Sequence, residues 1–100
     1  MIRVIRKRPG RLPEWVQVEN TLEALQQEVG GYIETVTFTQ DVCIICNEEG
    51  RLMGLPYNVT YAGVDFVGTI LIVGVDGEEF SDLPDASWET LLSSFGGNAN

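Results

Sequence analysis

The sequence contains no histidine and only two cysteines among its 100 residues. Without histidine, the chain lacks the base that usually activates a serine or cysteine nucleophile. A structural zinc site needs about four cysteine, histidine or carboxylate ligands, and one pair of cysteines falls short of that number. The composition therefore argues against a triad hydrolase and against a zinc domain. It predicts no catalytic residue, no metal site and no cofactor.

The two cysteines, Cys43 and Cys46, have the C-x-x-C spacing that redox enzymes and zinc ribbons share. A redox pair places its first cysteine at the start of a helix, where the helix dipole lowers the pKa of the thiol. Here the pair lies within Val42–Cys46, an apolar run typical of a central strand that is covered on both faces. Side chains three positions apart on a strand point to opposite faces, so we predict two buried thiols that form no disulfide.

Basic residues are also scarce, and the net charge is −9. Such a charge disfavours direct contact with nucleic acid or with an anionic membrane. Five of the six basic residues lie in residues 1–11, which contain no acid, and all 15 acidic residues follow them. We interpret this segment as an edge strand whose cations discourage edge pairing and face the protein's own acids. A separate contact for phosphate or for an acidic partner is the alternative.

Long hydrophobic runs are missing as well. The longest, Phe66–Val75, spans about ten residues and is too short to cross a bilayer. The basic N-terminus is not followed by the apolar segment of a signal peptide, so a cytoplasmic location is expected. One hundred residues suffice for one domain with a single core. We expect that domain over residues 1–95, with a flexible tail at 96–100.

The order of the periodic segments predicts an α+β fold. Strands are expected where β-branched and apolar residues alternate or cluster: residues 1–7, 14–19, 32–38, 42–46, 51–55 and 69–75. One helix is expected after Asn20 and another from Asp82 or Asp85 to Phe95, because apolar residues there recur every three or four positions. The resulting architecture is a mostly antiparallel sheet of about five to six strands with two helices packed on it.

Turn and cap residues give the connections between these elements. Asn20 and Glu23 have the spacing of a capping box, and Gly30-Gly31 ends the helix that follows. Asn47–Gly50 has the form of a four-residue hairpin turn with Gly50 at positive φ, so that residues 51–55 return along the central strand. Asp76-Gly77 is a two-residue turn signal. Residues 56–63 are expected to form a loop.

Several segments in order along the chain are similar to a family of uncharacterised proteins. They are Asn20–Gln26, Val29–Glu34, Ile45–Leu52, Gly54–Asn58 and Gly68–Gly74. On these segments the sequence resembles the DUF3846 domain, and Val59–Val67 is shorter than the acidic segment that the family usually has there. The resemblance implies a small accessory protein of mobile DNA in Gram-positive bacteria, their phages or their conjugative elements. It implies no catalytic residues.

Two segments could contact a ligand or a partner. They contribute six candidate binding residues: Asn47, Glu48 and Glu49 in the predicted turn, and Tyr57, Asn58 and Tyr61 in the predicted loop. The leading hypothesis is a non-catalytic protein whose acidic surface imitates nucleic acid and occupies the basic groove of a partner protein, as an inhibitor of a host defence system would. A small-ligand or nucleotide site in the loop Gly54–Tyr61 is the alternative.

Two further hypotheses concern catalysis and self-association. A carboxylate enzyme would use Glu48 or Glu79, but adjacent acids of an exposed turn are normally solvated. An exposed strand edge such as residues 1–7 is a candidate for pairing in a homodimer. The sequence does not identify the protein partner, and it predicts no direct contact with nucleic acid or membrane.

Overall fold

A computed structural model describes residues 1–61, 63–87 and 89, which form eight strands and one helix. In chain order, these elements are β1 (Ile2–Lys7), β2 (Glu14–Val18), α1 (Leu22–Val29), β3 (Ile33–Thr37), β4 (Val42–Asn47), β5 (Tyr57–Tyr61), β6 (Val64–Val67), β7 (Ile70–Asp76) and β8 (Glu79–Ser81).

The main sheet has six strands, and every neighbouring pair in it is antiparallel. Its order is β2-β1-β7-β4-β3, and β8 also pairs with β7. β7 pairs with β4 along one edge and shares its other edge between β1, at Ile70–Ile72, and β8, at Gly74–Asp76. The predicted mostly antiparallel sheet of five to six strands is confirmed.

Both faces of this sheet are covered, which explains why its central strands are apolar throughout. Helix α1 packs Leu25 and Val29 on one face, against Ile45 and Leu71 of the sheet. The two-stranded sheet formed by β5 and β6 covers the other face with Val59, Tyr61 and Phe66. The protein therefore has three layers, with one apolar core on each side of the central sheet.

The two cysteines lie on opposite sides of β4. Cys43 belongs to the core beneath α1, and Cys46 belongs to the core beneath the β5–β6 hairpin. Both are buried free thiols. The period of two along the strand separates them, so the prediction of two core thiols without a disulfide is confirmed.

The basic segment at the N-terminus is not an edge strand, contrary to expectation. β1 lies between β2 and β7, and the main-chain N–H of Leu83 donates to the carbonyl of Arg3. Residues 1–7 therefore offer no free edge for a homodimer. The second part of the prediction is confirmed, because Arg3, Arg6 and Arg8 form ion pairs with the protein's own acids.

Two predicted connections are wrong for a common reason. β3 and β7 occupy both edges of β4, so residues 51–55 find no edge there to return along and form consecutive turns instead. Residues 57–61, expected in a loop, form strand β5 and pair with β6. The chain leaves the main sheet after β4 and builds a separate hairpin across its face.

The start of α1 differs from the predicted cap by one residue. Thr21 is the N-cap and accepts from the N–H of Ala24, while the Asn20 amide donates to the carbonyl of Phe80. Gly30 ends the helix in the left-handed conformation, as expected. The β7–β8 turn consists of Gly77 and Glu78, one residue later than predicted.

The structure describes one helix where the sequence predicts two. The second predicted helix, ending at Phe95, falls largely on residues outside the described ranges, and so does the tail at 96–100.

Candidate functional site

The turn between β4 and β5 projects from one end of the main sheet. We call residues Glu48–Gly54 the tip. Asn47 fixes its base: the Asn47 side-chain amide donates to the carbonyl of Val29 at 3.1 Å, and its oxygen accepts from the N–H of Glu49 at 2.8 Å. The N–H of Glu48 donates to the carbonyl of Tyr32 at 2.8 Å. The tip is thus held against both the end of α1 and the residue that precedes β3.

The tip is also ordered internally. The N–H of Met53 donates to the carbonyl of Glu49, and the N–H of Leu55 donates to the carbonyl of Gly50. Gly50 does not have the positive φ predicted for it, whereas Gly54 does, with φ of 69°. Gly50 is needed for another reason, because a Cβ there would lie 2.8 Å from a methyl carbon of Val67. These contacts hold the tip in one conformation.

The tip combines exposed apolar and acidic side chains. Leu52 is 87% exposed and Met53 is 53% exposed, and Tyr32 beside the base of the tip is 64% exposed. Glu48 and Glu49 are exposed on the same turn. Leu52 and Met53 therefore present apolar surface to solvent on a turn that main-chain hydrogen bonds hold in place.

An acidic cleft of about 200 Å³ lies between the tip and strand β6. Its polar lining includes Glu34, Glu48, Glu49 and Asp65, and its apolar floor includes Phe66. The guanidinium of Arg51 crosses it and donates to the carbonyl of Asp65 at 3.0 Å. Small-molecule pockets usually measure about 300–1,000 Å³, so this cleft suits one side chain better than a nucleotide.

Cys46 lies at the inner wall of the cleft, with its Sγ 4.0 Å from a carboxylate oxygen of Glu34. Burial raises the pKa of the Cys46 thiol to about 11, and the negative charge of Glu34 contributes to this. Burial also raises the pKa of Cys43. Nucleophilic cysteines need a lowered pKa, so both thiols are protonated and unreactive at neutral pH.

The raised pKa of Cys46 makes the stability of the fold depend on alkaline pH. An unfolded thiol, with a pKa of 9.0, loses its proton between pH 9 and 11, whereas folded Cys46 keeps it until about pH 11. The protonated Cys46 thiol therefore stabilises the folded state fully below pH 9, and this stabilisation is lost as the pH rises through 11. We expect the free energy of unfolding to fall by about 2 kcal/mol more in the wild type than in Cys46→Ala over this interval.

Denaturant titrations of both proteins at several pH values measure this difference. Lys7, whose pKa burial lowers, acts in the opposite direction but is common to both proteins and cancels. Identical pH dependence in the two proteins would contradict the assigned environment of Cys46.

A buried polar latch joins the hairpin to the main sheet. Lys7, the only lysine of the chain, is 6% exposed and donates to the side-chain oxygen of Asn58 at 2.9 Å and to the carbonyl of Arg8 at 3.0 Å. The Asn58 amide in turn donates to the carbonyls of Lys7 and Gly68 at 2.8 and 2.7 Å. Asn58 therefore ties β5 to the ends of β1 and β6 rather than facing solvent.

Removal of the lysine from this latch has a predictable cost. Lys7→Met deprives the Asn58 oxygen and the Arg8 carbonyl of their donor, and a buried polar group left unpaired costs about 1–3 kcal/mol. We expect a loss of that size in the free energy of unfolding. Arg11→Met, at an exposed position of the neighbouring loop, is the control and should change stability by less than about 0.5 kcal/mol. Equal stabilities of the two variants in urea titrations would disprove the latch.

The structure separates the six predicted binding residues into two groups. Glu48 and Glu49 are exposed on the tip, with buried Asn47 at its base. Tyr57 is exposed on the outer face of β5, where its hydroxyl lies 2.7 Å from that of Thr60. Asn58 and Tyr61 are buried. The two groups do not form one site, and the small-ligand hypothesis for Gly54–Tyr61 stays a prediction.

Residues 2–96 match the family model described as "Domain of unknown function (DUF3846)". The chain belongs to the DUF3846 family. The match spans nearly the whole chain, so the family resemblance of the separate segments is confirmed. Searches of curated proteins and of solved structures found no match.

The site contains residues that the sequence did not indicate. Glu34 and Asp65 reach the cleft from β3 and β6, and no local pattern connects them with the tip. The apolar residues Leu52 and Met53 were expected in a strand, where burial would have explained them. The sequence did contain one indication that Leu52 and Met53 lie in a turn. Gly54 follows them directly and Glu48-Glu49-Gly50 precede them, and glycines at both ends of a short segment favour turns.

Two kinds of feature, a metal-binding cluster and a membrane-spanning helix, are absent from residues 1–61, 63–87 and 89. No group of three or more cysteine or acidic side chains there is placed to hold a metal ion. No helix within these ranges is long and apolar enough to cross a membrane.

Proposed function

We propose that this protein functions by binding another protein through the tip and the acidic cleft beside it. The observation that carries the proposal is the exposure of Leu52 at 87% on a turn that hydrogen bonds hold in place. A flexible loop would lose conformational entropy on binding, whereas an ordered one is spared most of that cost. The exposed leucine and methionine supply the apolar centre of a contact, and the glutamates supply its polar rim.

The charge distribution favours a basic partner. Three of the protein's arginines form ion pairs with Glu14 of β2, Glu28 of α1 and Asp85, which follows β8. The other acids outnumber the remaining basic residues, and several of them surround the tip. Complementary charge steers association and selects the partner. We propose a partner with a basic groove, of the kind that binds nucleic acid, so that the acidic surface takes the place of a phosphate backbone.

Three features support binding in preference to catalysis. Glu48 and Glu49 are exposed on a turn, where their carboxylates are solvated. Cys46 has a raised pKa and therefore does not serve as a nucleophile. The cleft is smaller than most substrate pockets. We propose accordingly that the protein is a non-catalytic accessory protein of a phage or mobile element and that it inhibits a host defence protein.

Affinity capture from a Gram-positive host lysate at low and high salt tests this proposal. We expect a basic protein to be retained at low salt and released at high salt, because exposed charges are screened within a Debye length of about 3 Å at 1 M. Leu52→Ser should weaken the capture by roughly 30-fold, because truncating a central hot-spot residue costs about 2 kcal/mol or more. Leu22→Ser, at a leucine exposed at the start of α1, should leave it unchanged.

Two outcomes of this experiment would contradict the proposal. Equal capture by Leu52→Ser and Leu22→Ser would show that the tip is not the contact surface. Retention of the same protein at both salt concentrations would contradict the electrostatic part of the proposal.

A further inference from the structure

Strand β3 forms an edge of the main sheet, and its outward main-chain groups can be identified. Towards β4, the N–H of Phe38 donates to the carbonyl of Val42, and the carbonyl of Tyr32 accepts from the N–H of Glu48. Hydrogen-bonded positions alternate along an antiparallel pair, so the even-numbered residues of β3 face β4. The main-chain groups of Ile33, Thr35 and Thr37 therefore point away from the sheet, and no other strand of the described chain pairs with them.

This edge lacks the features that usually protect an exposed strand. Native edges are blocked by proline, by charged side chains (lysine above all), by bulges or by being very short, and β3 has five residues with Glu34 as its one charged residue. Residues 30–41 contain no proline, lysine or arginine, and β3 pairs with β4 in an unbroken register. The opposite edge differs, because Pro13 precedes β2 and Glu14 at its start is paired with Arg8. Of the two edges, β3 is therefore the one whose main-chain groups are open to pairing with another strand.

We propose that β3 pairs antiparallel with β3 of a second copy of this chain, around a two-fold axis at Thr35. In that register Thr35 faces Thr35, and Ile33 faces Thr37 of the other copy. All of these are outward-facing positions, so each outward N–H meets an outward carbonyl of the other copy. A register displaced by one residue would place outward groups opposite inward ones. The edge is therefore complementary to itself, as a two-fold interface requires.

The side chains agree with this register. Glu34 would face Val36 of the other copy, so no two carboxylates stand directly opposite each other. Tyr32, which is 64% exposed, would face half-buried Phe38 of the other copy. Directly opposite aromatic pairs stabilise antiparallel strands. The pairing thus gives a role to an aromatic side chain that the single chain leaves in solvent.

The two proposals involve neighbouring surfaces, because Tyr32 lies beside the tip and Glu34 lines the cleft, but salt distinguishes the two kinds of binding. Each copy has a net charge of −9, and the two Glu34 carboxylates would lie diagonally across the axis. Salt screens both repulsions, so self-association should strengthen as salt increases. Binding to a basic partner should weaken under the same conditions.

Sedimentation velocity at increasing protein concentration in high salt gives the first test. We expect the wild type to form a dimer, and Thr35→Val, which keeps the main-chain N–H, to do the same. Thr35→Pro removes only an outward N–H that the single chain does not use, and proline is tolerated at such edge positions. It should weaken dimerisation by about 10- to 100-fold. A wild type that stays monomeric, or equal association of the two variants, would overturn the proposal.

A charge exchange tests the register even if Thr35→Pro fails to fold. Thr35→Lys and Thr35→Glu each place like charges opposite themselves at the axis, which disfavours either homodimer. An equimolar mixture brings opposite charges together and should restore the dimer. Dimerisation of each variant alone as strong as in the wild type, or no recovery on mixing, would show that the axis does not pass through Thr35.

Discussion

Gly74→Ala is expected to lower the free energy of unfolding by about 3 kcal/mol through overpacking, although alanine is otherwise more favourable than glycine within a strand. A Cβ at this position would lie 2.8 Å from the hydroxyl oxygen of Ser81 and 2.9 Å from the carbonyl carbon of Asp82. Asp82 contributes main-chain atoms, which cannot rotate away as a side chain would. The chain that follows β8 must move, together with the bond from Leu83 to the Arg3 carbonyl.

Gly10→Ala is the matched control for this prediction. Gly10 has a positive φ of 71° and open space around it, so alanine there costs only the left-handed conformation, about 1–2 kcal/mol. Urea titrations of both variants compare the steric cost with the conformational one. If Gly74→Ala were no less stable than Gly10→Ala, this would contradict the close contact of residues 81–82 with Gly74 of β7.

Ile72→Ala is expected to cost about 2–5 kcal/mol, the range for deleting a large buried aliphatic side chain. Ile72 is fully buried at the centre of the sheet, with Ile5 and Ile44 directly beside it on the neighbouring strands. The β5–β6 hairpin covers this position, and its polar latch to Lys7 restricts any collapse into the cavity. Because domains of this size are stable by only about 5–15 kcal/mol, the loss is large.

Leu52→Ala provides the comparison, because it removes an aliphatic side chain that the fold does not bury. We expect its free energy of unfolding to stay within about 0.5 kcal/mol of the wild type. Thermal and urea unfolding measure both variants. Similar losses for Ile72→Ala and Leu52→Ala would contradict the assignment of Ile72 to the core and of Leu52 to the surface.

Local sequence patterns predicted the helix and strands whose conformation depends on neighbouring residues in the chain. The apolar spacing and the glycine stop of α1, and the doubly apolar runs of β4 and β7, each reflect an environment that periodicity reports. The place of β1 could not be predicted in this way. Its interior position depends on pairing with β7, about 65 residues later in the chain, and no local signal specifies that partner.

The course of the chain after β4 has the same explanation. Residues 51–55 look like a returning strand only if β4 has a free edge, and both of its edges are taken by β3 and β7. The residues then form the ordered tip, and the next segment pairs with β6 instead. The prediction for residues 51–55 therefore failed because the pairing of β4 with β3 and β7 leaves it no free edge.

The candidate site was predictable in part. Asn47, Glu48 and Glu49 were expected in an exposed turn because acidic residues beside glycine favour turns. Asn58 was expected to contact a ligand because it offers a donor and an acceptor, but these satisfy Lys7 and two main-chain carbonyls. Its burial depends on a lysine 51 positions earlier, which no local pattern of the sequence connects with it.

The most direct test of the central claim compares charge removal at two turns. Glu48→Gln/Glu49→Gln removes both negative charges of the tip, and Glu78→Gln/Glu79→Gln removes the same amount of charge at the β7–β8 hairpin. Binding of each double variant to the protein captured from lysate is measured by calorimetry at low salt. We predict that the tip variant binds at least about tenfold more weakly than the wild type and that the hairpin variant binds as the wild type does. Equal affinities of the two variants would contradict binding through the tip.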